Sequence, residues 1–212
     1  MKKLAIVGGG GFGREIKCLI DDINKVEDLY ELVGYFDDSE DVVVNNGMKY
    51  LGKIIELNDV AYDLELVIAI GDPQTKERVL NVINNDKISY PNVIHPSVIK
   101  SDDEVIMGNG NIICAGTILT CNILIKDFVT INLNCTIGHD TIVESYCSIM
   151  PNVALSGEVL LKKFVYIGSG ATIINQICVG EKTIVGAGAV VSKNLPSNCT
   201  AVGIPAKPIN LR

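Results

Sequence analysis

The sequence predicts two folds in succession: a small α/β domain with a Rossmann-like parallel sheet, followed by a left-handed parallel β-helix. Three observations predict this order. Apolar strands alternate with helical segments over the first part of the chain, and a glycine-rich turn joins the first strand to the first helix. From residue 107 onward, aliphatic residues recur every six positions. We place the boundary between residues 92 and 93, which gives domains 1–92 and 93–212.

The N-terminal domain begins with a short apolar strand, Leu4–Val7, and a glycine-rich turn, Gly8–Gly13. The residues after the turn place isoleucine and leucine at positions i, i+3, i+4 and i+7, which predicts an amphipathic helix over Arg14–Ile23. Two further strands are predicted at Leu32–Phe36 and Leu66–Ile70.

A second helix is predicted to begin at Asp72-Pro73 and to run to about Asn84. Aspartate is a good N-cap residue, and proline fits the first helical position. Because strands alternate with helices, we expect a small parallel sheet.

The glycine-rich turn matches the dinucleotide-binding pattern, with glycines at Gly8, Gly10 and Gly13 between a strand and a helix. Asp37, at the end of the second strand, is a candidate ribose ligand. An NAD-dependent oxidoreductase or a nicotinamide-binding regulator is therefore a competing interpretation. A full dinucleotide fold needs two βαβ halves, and this region offers one, which suits a single nucleotide better.

The C-terminal domain shows an unbroken period of six. The aliphatic positions are Met107, Ile113, Leu119, Ile125, Ile131, Ile137, Val143, Ile149, Leu155, Leu161, Ile167, Ile173, Val179, Val185 and Val191. The position two residues earlier is mostly small or β-branched. The position three residues later is often Gly, Asn or Asp, which tolerate left-handed turns; these are Gly110, Gly116, Asn122, Asn134, Asp140, Asn152, Gly170, Gly188 and Asn194.

This period is typical of the hexapeptide β-helix repeat, in which each side wall takes about six residues. Three walls close one triangular coil, so the fifteen aliphatic positions predict five coils of eighteen residues. Each coil buries its apolar residues only by stacking on its neighbours. An amphipathic β-sandwich with coincidental spacing is the alternative, and fifteen residues in frame argue against it.

Composition narrows the function classes. A net charge of -7 and a pI of about 4.8 argue against a nucleic-acid or anionic-membrane partner. The seven cysteines are an odd number without a C-x-x-C pair, which argues against a disulfide framework or a zinc site. The first apolar run ends at Gly8, too early for a signal peptide, and no stretch is long enough to span a membrane. We expect a cytoplasmic protein.

Several short motifs together resemble a known family. The resemblance to the closing signature of hexapeptide-repeat acyltransferases lies in Gly186–Val191 and Val202–Pro208. Other segments are similar to the sugar acyltransferases related to sialic acid O-acetyltransferase (NeuD/PglD-type), a family that includes acetyltransferases of nucleotide-linked 4-amino sugars. Those segments are Gly8–Glu15, Tyr35–Asp38 and Ala69–Asp72. Gly138-His139-Asp140 resembles the catalytic motif of the same family.

The predicted catalytic residues are His139, Asp140 and Gly157. His139 follows an inward Ile137 by two residues, which places it at an outward coil corner, as a general base or as a solvated turn histidine. The resemblance implies that Asp140 orients the imidazole. Gly157 comes one coil later, a step of about 4.8 Å, so its N–H is a candidate to stabilise the oxyanion.

The resemblance also implies two binding regions. Acetyl-CoA is expected in a groove between neighbouring β-helices, with Ser148 at a position where some relatives carry a histidine near the acetyl group. Its other predicted contacts are Gly168, Ser169, Gly186, Ala187, Lys193 and Lys207. The nucleotide of a UDP- or dTDP-linked sugar is expected on the N-terminal domain, at Gly10, Gly11, Phe12, Asp37, Asp38 and Gly71.

These expectations combine into an acetyl-CoA-dependent N-acetyltransferase that acts on the amino group of a nucleotide-linked amino-deoxy sugar. O-Acetylation of a sugar or of sialic acid is the alternative, and a non-catalytic nucleotide-binding scaffold is the alternative from another class. We expect a homotrimer, because a lone prism would expose flat hydrophobic walls and the groove needs a neighbour. No metal is needed for this chemistry. His95 is interpreted as structural, and Cys135, Cys147 and Cys178 as small hydrophobic residues.

Overall fold

The computed structural model describes residues 1–39, 47–101 and 104–211. Its contacts divide the chain into two compact units, Met1–Pro96 and Ser97–Arg212. The predicted boundary at 92/93 lies slightly before this division. None of the helices in the described ranges is long and apolar enough to cross a bilayer.

The first unit is a five-stranded parallel sheet with helices between its strands, as the Rossmann-like prediction requires. In chain order its elements are β1 (Lys2–Val7), α1 (Gly11–Val26), β2 (Tyr30–Phe36), β3 (Tyr50–Gly52), a 3-10 helix (Ile54–Asp59), β4 (Leu64–Ile68), α2 (Pro73–Val82), β5 (Ile88–Ser89) and β6 (Val93–Ile94). The strand order of the sheet is β3-β2-β1-β4-β5, and β6 lies outside this sheet. The buried faces of β1, β4 and α1 form its core.

Several boundaries of this unit differ from the sequence prediction. Helix α1 begins at Gly11 rather than Arg14, since the backbone N–H of Arg14 already donates to Gly10 O over 3.2 Å. Strand β4 ends at Ile68, two residues before the predicted end at Ile70. The short strands β3 and β5 and the 3-10 helix were not predicted, because segments of two to six residues carry too little periodicity.

The second unit is a left-handed parallel β-helix, as predicted. Its strands form three sheets, which are parallel except for the last strand of the first sheet. The second sheet takes six strands, from successive coils of the described chain. The first sheet contains β9 (Ile112–Ile113), β12 (Thr130–Ile131), β15 (Ser148–Ile149), β18 (Tyr166–Ile167), β21 (Ile184–Val185), β23 (Cys199–Val202) and the antiparallel β24 (Lys207–Leu211). The second sheet contains β7 (Ile99–Lys100), β10 (Ile118–Leu119), β13 (Thr136–Ile137), β16 (Ala154–Leu155), β19 (Thr172–Ile173) and β22 (Val190–Val191). The third sheet contains β8 (Val105–Met107), β11 (Ile123–Ile125), β14 (Ile142–Val143), β17 (Leu160–Leu161) and β20 (Cys178–Val179).

The core of the β-helix is the predicted column of aliphatic residues. Every member from Ile113 to Val191 is exposed by 2% or less, and only Met107 in the first coil is half-buried. The small residues two positions earlier are buried as well, including Thr117, Val129 and Ala171. The period of six therefore describes the inward face of each wall, and the stacking of coils buries it.

The corners of the β-helix adopt left-handed backbone at every sixth residue from 110 to 188. Eight of these positions carry the predicted Gly, Asn or Asp. Bulkier residues take the same conformation at the other six: Phe128, Tyr146, Glu158, Phe164, Gln176 and Lys182. The predicted turn residue Asn194 departs from this series, and its Oδ1 instead accepts the backbone N–H of Cys178 over 2.8 Å. At the six positions with bulkier residues, closure of the coil therefore overrides the preference of each residue for right-handed backbone.

Candidate functional site

One corner of the β-helix, between the second and third sheets, carries the predicted catalytic residues. We call it the histidine corner; it consists of residues 120–122, 138–140, 156–158, 174–176 and 192–194, one segment from each of five successive coils. Strand β13 ends just before the second of these segments, 138–140, and β14 begins just after it. Parallel pairing of these strands with the coils on either side holds the corner segments in register.

His139 and Asp140 form a dyad at this corner. Nδ1 of His139 lies 2.6 Å from Oδ2 of Asp140, and their side chains are 56% and 45% exposed. Adjacent residues on a straight strand point to opposite faces. Asp140 instead has a φ of 58°, and this left-handed turn directs its carboxylate back to the imidazole. The two side chains therefore meet because the chain turns at this corner.

The carboxylate of Asp140 has a second partner, Asn122, whose Nδ2 donates to Oδ1 of Asp140. The hydrogen bond from His139, followed by that from Asn122, lowers the pKa of Asp140 below its ordinary value. An ionised carboxylate only accepts, so the Nδ1–H of His139 donates the hydrogen bond to Asp140, and in the neutral imidazole Nε2 then carries a free lone pair. The dyad thus presents a proton acceptor to solvent.

Gly157 lies directly against the imidazole of His139, one coil further along. A Cβ placed on Gly157 would lie 2.4 Å from both Cε1 and Nε2 of the ring, so a side chain cannot occupy this position without displacing it. The backbone N–H of the next residue, Glu158, donates to His139 O over 2.7 Å. No acceptor for the Gly157 N–H is found in the described part of the chain.

The predicted acetyl-CoA residues lie at two corners of the β-helix and on two of its strands. Lys193 is exposed at the histidine corner, three coils beyond His139. Ser169 and Ala187 are exposed at the corner between the first and second sheets, while Lys207 is exposed on β24. At that second corner Gly168 and Gly186 allow close stacking, because a Cβ on Gly168 would lie 2.6 Å from Ala187 N.

Ser148 lies on β15 in the first sheet, between Thr130 and Tyr166 of the neighbouring coils. Its side chain is fully buried, and its Oγ has no hydrogen-bond partner within the described ranges. Its predicted contact with the acetyl group stays a prediction.

In the first unit, the glycine-rich turn is held by Asp37. Oδ2 of Asp37 accepts the backbone N–H of Gly9 over 2.8 Å, and Oδ1 accepts that of Ser39 over 2.8 Å. The neighbouring Asp38 accepts the backbone N–H of Ile54 over 2.9 Å at the start of the 3-10 helix. The two carboxylates predicted to contact the nucleotide therefore already accept backbone N–H groups.

The tip of the same turn is open. A Cβ on Gly10 would meet no atom within 4 Å, and Gly10 and Gly11 are both exposed. A Cβ on Gly13, in contrast, would lie 2.0 Å from Gly8 O, so Gly13 is needed for the helix to approach the turn. Phe12 is half-buried. Gly71, in the loop after β4, is half-buried with no atom within 4 Å of a Cβ.

The remaining histidine, His95, has a local partner within the first unit. Its Nε2 lies 3.2 Å from Oδ2 of Asp22, which agrees with its interpretation as structural. The hydrogen bond of Lys25, and then that of His95, lowers the pKa of Asp22. All seven cysteines are free. The described residues contain no group of three or more His, Cys, Asp or Glu side chains placed to hold a metal ion.

Sequence reasoning missed one residue of the histidine corner. Asn122 was counted only as a turn residue, and the signal that identifies it is its spacing of eighteen residues from Asp140. One coil is eighteen residues long, so this spacing places the two side chains above one another at the same corner.

The chain is similar to several known proteins. The model of the PglD N-terminal domain matches residues 3–83. The GDP-perosamine N-acetyltransferase of Escherichia coli O157:H7 is 28% identical over 215 residues, which cover 98% of this chain and 96% of that protein. The acetyltransferase domain of PglB from Neisseria gonorrhoeae FA1090, solved in complex with acetyl coenzyme A, superposes with a TM-score of 0.88. It is 28% identical, and the match covers 98% of this chain and 99% of that one.

A serine acetyltransferase of Synechococcus elongatus is 37% identical over 90 residues. That match covers 39% of this chain and 37% of that protein, so the chain spans well under half of its length.

Proposed function

Because the chain belongs to the PglD-type sugar acyltransferases of the hexapeptide-repeat superfamily, we propose that it transfers the acetyl group of acetyl-CoA to the amino group of a nucleotide-linked amino-deoxy sugar. The observation that carries this proposal is the His139–Asp140 dyad packed against Gly157. The names of the similar proteins support the class of acceptor, since one is a GDP-perosamine N-acetyltransferase.

In the proposed mechanism His139 is the general base. The neutral amine of the sugar attacks the carbonyl carbon of the thioester, and the carbonyl electron pair moves to oxygen. Nε2 of His139 accepts the proton that the nitrogen loses, and Asp140 stabilises the imidazolium through Nδ1–H. Collapse of the tetrahedral intermediate breaks the carbon–sulfur bond, and the thiolate of CoA takes the proton back from Nε2. The products are an amide and free CoA thiol.

Gly157 has two roles in this proposal. Its missing side chain leaves room for the imidazole, and we propose that its backbone N–H donates to the developing oxyanion. The absence of an acceptor for this N–H within the described ranges supports the second role. We propose that acetyl-CoA extends from here past Gly168, Ser169, Gly186 and Ala187, with Lys193 and Lys207 near its phosphates and Ser148 near the acetyl group.

We propose that the glycine-rich turn of the first unit binds the nucleotide of a UDP- or dTDP-linked sugar. The open tip at Gly10 and Gly11 permits close approach of a pyrophosphate to the N-terminus of α1. Phe12, Asp37, Asp38 and Gly71 would lie around the base and ribose. Because Asp37 and Asp38 already accept backbone N–H groups, each would use its remaining lone pairs for the nucleotide.

We further propose that the active form is a homotrimer. The outward face of the third sheet is an apolar column, aligned by the parallel register of its strands. Its members are Ile106, Leu124, Ile142, Leu160 and Cys178. Ile106 is 60% and Ile142 38% exposed, so this column lies open to water in the single chain. The third sheet also borders the histidine corner, which supports an active site completed by a neighbouring copy.

The test is release of CoA thiol from acetyl-CoA in the presence of UDP-, dTDP- and GDP-linked amino sugars, and of the matching sugars with a hydroxyl in place of the amine. We expect release with one UDP- or dTDP-linked amino sugar, an N-acetylated product by mass spectrometry, and loss of at least about a thousandfold in kcat for His139→Ala. His95→Ala is the matched control and is expected to keep full turnover. Release only with sugars that lack an amine would replace the proposal with O-acetylation, and full activity of His139→Ala would refute the general base.

A further inference from the structure

The carboxylate of Asp140 is held at both of its oxygens by side chains of the histidine corner. One oxygen meets His139 Nδ1 at 2.6 Å, and the other accepts from Asn122 Nδ2. Asn122 does not contact the imidazole in any hydrogen bond of the described chain. It therefore acts on His139 only through Asp140.

We propose that Asn122 is a positioning residue of the acetyl transfer, which fixes the rotation of the Asp140 carboxylate so that its other oxygen faces His139 Nδ1. This inference rests on the proposed function of His139 as general base. It assigns to Asn122 a role beyond that of a coil-turn residue.

The need for such a residue follows from exposure. Asp140 is 45% exposed, and a carboxylate with one hydrogen bond rotates freely about its last torsion in water. A second, directional bond from a neutral amide removes this freedom without adding charge. Asn122 is itself held in place, because the backbone N–H of Asp140 donates to O of the preceding residue, Cys121, over 3.2 Å.

The residue type fits this role narrowly. Asn122 has a φ of 52°, where Asn, Asp and Gly are the favoured residues. Glycine would keep the backbone and remove the donor. Aspartate would keep the shape and replace the donor with a second negative charge. Among these three, only asparagine both turns the corner and donates to Asp140.

The same corner offers a matched control one coil further on. Gln176 Nε2 lies 3.2 Å from both oxygens of Glu158, and Gln176 follows Glu158 by eighteen residues at a φ of 60°. This pair repeats the chemistry of Asn122 and Asp140 without a hydrogen bond to the imidazole in the described chain. If corner pairs serve only to stack coils, both pairs should behave alike.

The experiment compares Asn122→Gly, Asn122→Asp and Gln176→Gly in steady-state turnover. Asn122→Gly is expected to lower kcat by about five- to thirtyfold, with KM for both substrates within about twofold, since an oriented bond to a charged group is lost. Gln176→Gly is expected to keep kcat within about twofold. Circular dichroism and thermal unfolding establish that each variant is folded.

The second readout is the imidazole itself, observed by NMR. The chain has only two histidines, so His139 is assigned by comparison with His139→Ala, and His95 serves as the internal reference. The titratable neighbours of His139 at this corner are Asp140, Cys121 on the coil before and Glu158 on the coil after. Asn122→Asp adds one negative charge, so we expect the pKa of His139, and the acidic limb of kcat/KM, to rise by roughly half a unit or more. Gln176→Gly should leave both unchanged.

The outcomes separate this inference from the proposed function. If His139→Ala keeps its turnover, the general base is wrong, whatever Asn122 does. If His139→Ala is inactive while both Asn122 variants keep wild-type kcat and the wild-type His139 pKa, the positioning role is wrong and Asn122 only turns the corner. If Asn122→Gly does not fold, the isosteric Asn122→Asp and its His139 titration decide between these two results.

Discussion

The histidine corner depends on the absence of a side chain at one residue, Gly157. The ring of His139 occupies the space that a Cβ would fill, 2.4 Å from two ring atoms. Gly157 is not among the residues with left-handed backbone, so its conformation alone does not require glycine. The space taken by the imidazole is the reason that this position carries no side chain.

We predict that Gly157→Ala lowers kcat by at least about a hundredfold, because the added methyl displaces the imidazole from the position that Asp140 supports. The β-helix should remain folded, as the corner is on its surface. Steady-state turnover and thermal unfolding measure the two effects. Asn175→Ala, at the equivalent corner position one coil later, is the control and should retain turnover. A Gly157→Ala enzyme with normal kcat would contradict the packing argument.

Ionisation adds a second requirement at the residue scale. The hydrogen bond from His139, followed by that from Asn122, lowers the pKa of Asp140, so its carboxylate is charged at neutral pH. A group with a lowered pKa contributes stability that is present above its unfolded pKa and lost as the pH falls through its folded pKa. The dyad is therefore intact at neutral pH and opens only in acid.

At the scale of elements, several coil corners carry bulky residues in left-handed backbone, a conformation that these residue types disfavour. A left-handed conformation costs a non-glycine residue about 1–2 kcal/mol. At the corner between the third and first sheets, the rings of Phe128, Tyr146 and Phe164 stack with centroids 5.7 and 5.1 Å apart, and Lys182 Nζ lies 5.5 Å from the last ring. Stacking between coils offsets the cost of the backbone.

We predict that Phe164→Ala lowers the free energy of unfolding by about 2–3 kcal/mol, because Phe164 is 8% exposed and contacts both Tyr146 and Lys182. Denaturant unfolding followed by circular dichroism measures this loss. Gln176→Ala, at a corner position of the same conformation without a ring, should change it by less than about 1 kcal/mol. Equal effects of the two substitutions would show that the aromatic stack contributes nothing.

At the scale of the whole molecule, the proposed trimer explains why the outward face of the third sheet is apolar. The column from Ile106 to Cys178 lies beside the histidine corner, and it contains no charged side chain. On a single chain this face would be exposed to water, whereas a neighbouring copy would bury it.

We predict that Ile142→Lys converts the trimer to folded monomers and abolishes turnover, because three buried lysines would face an apolar interface without partners. Light scattering after size-exclusion chromatography measures the mass, and circular dichroism the fold. Thr172→Lys, on the outward face of the second sheet, is the control for assembly. A trimeric Ile142→Lys, or an active monomeric wild type, would place the interface elsewhere or remove it.

The sequence by itself determined the fold of both units, because each fold produces a regular spacing of apolar residues along the chain. That spacing is i, i+3, i+4 and i+7 in the first helix and every six residues in the β-helix. The inward column of the β-helix, the glycine-rich turn and the N-cap at Asp72 are local patterns, and the structure has all three. The position of His139 at a corner followed from the same count of residues.

Only the tertiary structure decided which side chains meet across coils. Asn122 and Asp140 are eighteen residues apart, yet their side chains form a hydrogen bond. The imidazole of His139 takes the space that a side chain on Gly157 would occupy. Phe164 adopts left-handed backbone at a corner, a conformation that its residue type disfavours. A local pattern records the preference of each residue for its own backbone. Contacts between stacked coils depend on rotamers and on the exact closure of each corner, and these are set by neighbours one coil away.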